Sequence, residues 1–245
     1  MPKYKISIEY DGTNFVGWQK QDNGPSIQSS IEEAIKKISS ETVNVFGAGR
    51  TDSGVHAKEQ VAHFNISNKI PLDNIRDGLN QHLRPLPIAI LKAEEVNEDF
   101  HARFSALLRS YEYLIINRRS PLTLYKNQAW GVFKDLDIAN MKEAAINFEG
   151  KHDFSAFRSI DCQASSSIKT IDSCKVEKQE NYIIIKVTAK SFLHSQVRII
   201  VGTLVDVGRG KILPINIKKI IDSKDRSKAG ATAPAHGLYL LKVEY

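Results

Sequence analysis

Short β-type segments recur along almost the whole chain, with helical patterns spliced between them in no fixed alternation. Residues 4–10 (YKISIEY), 43–46, 59–66 (EQVAHFNI), 87–96, 110–116 (SYEYLII), 127–133, 171–177, 181–190 (NYIIIKVTAK) and 238–244 read as strands. They alternate polar with apolar side chains or are rich in Ile, Val, Tyr and Phe. Residues 26–38 place Ile27, Ile31, Ala34, Ile35 and Ile38 on one helical face, opening after Pro25–Ser26, a reasonable cap. Residues 72–83 repeat Leu72, Ile75, Leu79 and Leu83, and residues 138–148 carry Ile138, Met141, Ala145 and Phe148. The longest run, about 192 to 207, aligns Leu193, Val197, Ile200, Val201, Leu204 and Val205. The order β-α-β-β-α-β followed by β-β-α-β-β-α-α-β departs from the strict βαβ alternation of a parallel sheet. It predicts an α+β fold with mostly antiparallel pairing. Residues 1–102 read as a split βαβ unit and residues 103–245 as a diverged copy, with no low-complexity linker between them.

Composition narrows the class. The 245 residues are 42% hydrophobic and 25% charged, which excludes a disordered chain. No apolar run approaches the roughly 18 residues that span a bilayer. The opening MPKYKISIEYDG has no apolar stretch of a secretory signal. Cys162 and Cys174 form no CxxC pair, and the seven histidines form no HxxxH or HExxH cluster. The expectation is a soluble cytoplasmic protein, without a metal. Its charge of +6 is uneven: residues 1–102 hold 11 basic and 14 acidic side chains, residues 103–245 hold 23 and 14. A basic second part suits a polyanion, because each cation near a phosphate releases a condensed counterion; a generically basic surface would look the same.

The densest cluster of unusual residues is Gly47-Ala48-Gly49-Arg50-Thr51-Asp52-Ser53-Gly54-Val55-His56-Ala57, between two strand segments. Its glycines permit positive φ and close backbone approach. The spacing is not GxGxxG, no GKS or GKT is present, and a strand follows, so nucleotide phosphate binding is excluded. Asp52, Ser53 and His56 lack a GxSxG elbow, which argues against a hydrolase set. A carboxylate and a guanidinium two residues apart remain. Such a carboxylate tends to stay ionised and suits nucleophilic attack on an electrophilic carbon. Spacing alone favours a structural Arg–Asp pair over a catalytic one.

The loop GAGRTDSGVHA resembles the catalytic loop of the tRNA pseudouridine synthase A family, and the resemblance runs nearly end to end. Tyr10-Asp11-Gly12-Thr13 with Phe15, Gly17, Trp18 and Gln19 is similar to that family's opening segment. Phe100-His101-Ala102-Arg103-Phe104-Ser105-Ala106, followed by Arg109, Tyr111 and Tyr113, is similar to its central one. Phe192-Leu193-His194, Val197-Arg198 and Val201-Gly202 match its long helix, and Ala233-Pro234 with Gly237-Leu238-Tyr239 its closing strand. The resemblance implies the pseudouridine synthase fold: two ferredoxin-like, RRM-like halves sharing a largely antiparallel central sheet flanked by helices. It implies a tRNA-modifying isomerase acting on uridines 38, 39 and 40 of the anticodon stem-loop, as a homodimer without cofactor or metal. It implies Asp52 as nucleophile, with Arg50 pairing with it and holding the target nucleotide. By the same resemblance Tyr111 would stack on the uracil, Arg198 would support the aspartate, and Leu238 would form an apolar wall.

The chemistry agrees with these residue types. Isomerising uridine breaks N1–C1′, turns the base and joins C5 to C1′, with no redox step. A carboxylate traps either the sugar at C1′ or the base at C6, and the sequence leaves both open. An aromatic platform for the detached base contributes about 1–3 kcal/mol, and a tyrosine is also a candidate proton carrier. The base must first leave the stack, which costs least near a loop. Lys58, Arg84, Arg109, Arg118, Arg119 and Lys126 are candidate phosphate contacts. His56 reads as a packing or hydrogen-bonding residue of its loop, Phe15 and Trp18 as core, and Tyr113 as a sheet-packing residue. The chain departs from the family pattern at Ser53, Ser195-Gln196 and Ile199. A non-catalytic tRNA-binding protein on the same fold is the competing reading.

Overall fold

The computed structural model describes every residue except Asp161. In chain order the first elements are β1 (Lys3–Tyr10), α1 (Ile27–Ser39), β2 (Phe46–Gly47), β3 (His56–Asn65), α2 (Leu72–Leu83) and β4 (Ile88–Val96). There follow β5 (Leu108–Asn117), β6 (Trp130–Val132), α3 (Ile138–Ile146), β7 (Gly150–Asp153), β8 (Ile168–Gln179) and β9 (Tyr182–Ala189). The chain continues through α4 (Gln196–Gly208), α5 (Asn216–Ser223) and β10 (Leu238–Glu244). Pairing is mostly antiparallel, as an α+β fold requires; β5–β6 and β3–β10 are parallel.

Two compact units emerge: Met1–Leu107 with Tyr239–Tyr245, and Leu108–Leu238. Cutting the chain at 102/103 assigns residues 239–245 to the second part by order alone. In space Tyr239 and Leu240 pair in parallel with His56 and Ala57 of β3, and the Leu107 N–H reaches the Glu244 carbonyl at 2.8 Å.

In the first unit β1 lies between β4 and β3, antiparallel to both, and β2 takes the far end of β3. The spatial order β4-β1-β3-β2 is that of a split βαβ unit. Ser26 starts α1: its Oγ accepts the Ser29 N–H at 3.1 Å, and the Ser29 side chain answers the Ser26 N–H. Ile27, Ile31, Ala34 and Ile35 are then buried, and Ser40 at φ 61° ends the helix. Each such Ile contributes about 1.5–3 kcal/mol by leaving water.

In the second unit β9 pairs with β5 and β8, and β8 with β7. The β7 sequence GKHD has no apolar alternation; backbone pairing with Ile168–Ile171 makes it a strand. Helix α4 begins at Gln196, not near 192, because Ser195 adopts φ 58° and breaks the helical path. It is buried almost all round. Gly202 admits the Ala231 carbonyl, which a Cβ would meet at 1.7 Å. Among the described residues no helix is long and apolar enough to cross a membrane.

His63 is buried on β3, its ring stacked 5.2 Å from Phe46 and edge-on to His101 at 4.6 Å. Burial, with His101 and Lys3 beside it, holds its pKa down at about 4. The folded chain thus keeps His63 neutral where the unfolded chain protonates it. Stability is expected to fall as pH drops from about 6.5 toward about 4. Denaturant titrations across that window should show a shallower acid limb in His63→Gln than in the parent protein.

Candidate active site

The loop that carries Asp52 is built by its neighbours. Thr51 is buried within it: Thr51 Oγ1 and the Tyr10 hydroxyl are 2.8 Å apart, and the Thr51 carbonyl accepts the Trp18 N–H at 3.1 Å. Asp52 is half-buried and opens a turn closed by the Val55 N–H on the Asp52 carbonyl at 3.1 Å, with Gly54 at φ 76°. The Ser53 hydroxyl donates to the Phe15 carbonyl at 3.1 Å. The carbonyl of Gly49 accepts from the Gln60 side chain.

Residues 10–18 wrap this loop, and two glycines allow the approach. Gly17 sits at φ 114°, and a Cβ there would lie 2.6 Å from the Thr51 carbonyl oxygen and 3.2 Å from the Asp52 carbonyl carbon. At Gly12 a Cβ would meet the Val55 oxygen at 2.0 Å. His56 is 2% exposed; its Nδ1 accepts the Gly12 N–H at 3.0 Å, and its ring stacks 4.8 Å from Tyr239. It packs and bonds within the loop, as its sequence context suggests. Phe15 and Trp18 are core residues.

The Arg50 side chain is exposed, two residues before Asp52. The tethered Thr51 between them takes the inward position, so the long arginine side chain extends into solvent.

The second unit holds Tyr111, Arg198 and Leu238. Tyr111 lies on β5, 8% exposed, with its ring edge-to-face with Phe192 at 5.2 Å. Tyr113, two residues on and so on the same strand face, is fully buried, and burial raises its hydroxyl pKa. Its hydroxyl donates to the Pro234 carbonyl at 2.7 Å. Arg198, in the first turn of α4, donates from Nε to the Ala233 carbonyl at 2.8 Å, and its own carbonyl accepts the Ala233 N–H at 3.1 Å. Residues 233–234 thus steady Arg198 and Tyr113 and lead directly to Leu238, which is 6% exposed. Gln196 is buried at the head of the same helix, where its Oε1 accepts the Leu193 N–H at 2.8 Å.

Of the candidate phosphate contacts, Arg84, Arg119 and Lys126 are exposed, and Lys58 lies 5.5 Å over the Tyr239 ring. Arg109 does not fit the role, because it is 8% exposed and bonds the Lys190 carbonyl. Among the described residues no cluster of His, Cys, Asp and Glu could hold a metal ion. Cys174 is buried, which pushes its thiol pKa up to about 12 and leaves it a poor nucleophile.

Gly12 and Gly17 stand in the opening segment quoted from the sequence, but their close approach to Val55 and Thr51, like the Gln60 bond to Gly49, joins residues distant in sequence and is visible only in the structure. Gly17→Ala is expected to lower the melting temperature, because it combines a positive φ with a clash at Thr51. Thermal melts beside Gly210→Ala, which has a positive φ but open space, separate the clash from the backbone effect.

Comparison with known proteins identifies the family of the chain as a whole. A tRNA pseudouridine synthase family model matches residues 6–105 and 144–245. A tRNA pseudouridine synthase A of Maricaulis maris is 49% identical over 245 residues, covering 100% of this chain and 98% of its own. One from Parvibaculum lavamentivorans is 51% identical over 245 residues, with both chains fully covered. Another, from Wolbachia pipientis wMel, is 51% identical over 244 residues, 99% of this chain and all of its own. Its two-part match to the family model and these full-length relatives place the chain in the tRNA pseudouridine synthase family of isomerases.

Proposed function

We propose that this protein converts uridine to pseudouridine at positions 38, 39 and 40 in the anticodon stem-loop of tRNA, with Asp52 as nucleophile. The observation that carries this is the Asp52 loop itself: one half-buried carboxylate on a turn tethered through Thr51, in a chain of this family. A nucleophile must be held while the base is detached and turned, and angstrom-scale misplacement costs up to about 100-fold in rate.

In the reaction the Asp52 carboxylate forms a bond to C1′ or to C6. The N1–C1′ bond breaks and uracil rotates. C5 then bonds C1′, the carboxylate leaves, and the C5 proton goes to a base. Substrate and product are isomers, so nothing is oxidised or consumed. Arg50 is exposed on the same loop, and a guanidinium there suits a phosphate of the extruded nucleotide. The family's pattern assigns Tyr111 to stacking on uracil, Arg198 to support of the carboxylate and Leu238 to an apolar wall. The same pattern supports a homodimer working in the cytoplasm.

Asp52→Asn is expected to abolish pseudouridine formation on unmodified tRNA, mapped by position, while tRNA binding persists. Full activity in that variant rejects the assignment. Wild-type protein that binds tRNA and forms no pseudouridine supports the non-catalytic reading instead. The tRNA affinity should fall steeply with added salt, through release of counterions from the phosphates. A flat response removes the basic surface from the docking argument.

A further inference from the structure

Where β2 parts from β3, a side chain adds one more rung to the ladder. Phe46 pairs with His63 and Gly47 with Ala62, and the Ala48 N–H still reaches the Val61 carbonyl at 2.8 Å. At Gly49 the backbone leaves for the loop, and its carbonyl is met by Gln60 Nε2 at 2.9 Å. The other end of that amide, Oε1, accepts the Val61 N–H at 3.1 Å. Gln60 is 0% exposed, so both ends of the amide are used inside the protein. The two bonds fix which end is oxygen and which is nitrogen, because only Oε1 can accept and only Nε2 can donate.

We infer that Gln60 is a positioning residue for Asp52, setting the point from which the nucleophile's loop rises. Gly49 stands three residues before Asp52. Thr51 is tethered by Tyr10 and Trp18, and the far side is closed by the Asp52–Val55 turn. The Gln60 bond supplies the matching restraint on the near side. A methionine would fill the same space but withdraw a donor from Gly49 and an acceptor from Val61. The inference rests on Asp52 being the nucleophile and adds a residue that never touches substrate.

The test uses Gln60→Met and Gln60→Glu in the full chain, with kcat and KM for unmodified tRNA measured against pH. A protonated glutamic acid reproduces the amide's pattern, with Oε1 accepting and the O–H donating to Gly49. Once ionised it has no donor and sets a negative charge against that carbonyl. Burial favours its neutral form. Gln60→Glu is therefore expected to approach wild-type kcat in mildly acidic buffer and to fall by about tenfold or more relative to wild type as pH rises. Gln60→Met should lose about tenfold in kcat at every pH, with KM within about twofold.

A Gln60→Met enzyme with wild-type kcat overturns the role, as does a Gln60→Glu to wild-type ratio that is flat with pH. If Gln60→Met shows no cooperative melt, the Gln60→Glu profile decides alone. Asp52→Asn run alongside separates the two claims. Activity surviving there removes the nucleophile assignment, whereas a dead Asp52→Asn beside a fast Gln60→Met removes Gln60 only.

Discussion

The buried pairing of Thr51 with Tyr10, backed by the Trp18 N–H on the Thr51 carbonyl, is the constraint on which the Asp52 loop depends. Each such bond contributes only about 0.5–1.5 kcal/mol net, but leaving a buried donor or acceptor unmatched costs about 1–3 kcal/mol. That asymmetry makes the loop's position close to all-or-none. The segment 10–18 comes close enough to supply these partners only because Gly12 and Gly17 carry no Cβ. Two motifs far apart in sequence, the opening segment and the Asp52 loop, are therefore halves of one packed object.

The second unit repeats the strategy with different parts. The segment 229–234 is drawn onto α4 at Gly202 and Gly230, where the Thr203 hydroxyl accepts the Gly230 N–H at 2.9 Å. Its carbonyls at Ala233 and Pro234 then receive Arg198 and Tyr113. In both units the polar side chains that matter are mounted on backbone already fixed by core packing, which keeps their geometry within narrow limits.

Element type was legible wherever a side-chain period was long and strong. Helix α2 spans the predicted residues 72–83, and β10 begins at the predicted Leu238. Failures came where backbone geometry overrode the pattern. Leu193 is buried and fits the helical period of α4, yet it precedes a left-handed Ser195 and lies in a turn. β7 carries no apolar signal at all. Around the Asp52 loop His56, Phe15 and Trp18 are buried, and Tyr113 is buried on β5, as their sequence context suggests. That Thr51 rather than Arg50 or Asp52 turns inward was not legible, because proximity in sequence says nothing about which of three consecutive side chains the core takes. Gln60 looked like an ordinary polar residue of a strand; its importance depends on Gly49 and appears only in three dimensions.

Strand β10 has a bearing on how the molecule is made. Its Tyr239 and Leu240 lie beside His56 and Ala57, the residues that close the Asp52 loop. A ribosome must therefore translate the whole stretch 108–238 before the opening unit receives its last strand. Domains generally fold as units, N-terminal first during synthesis, and this one cannot be completed until its last strand emerges. A nascent chain stalled anywhere in that stretch would leave the edge of β3 at His56 and Ala57 without its parallel partner, next to the Asp52 loop.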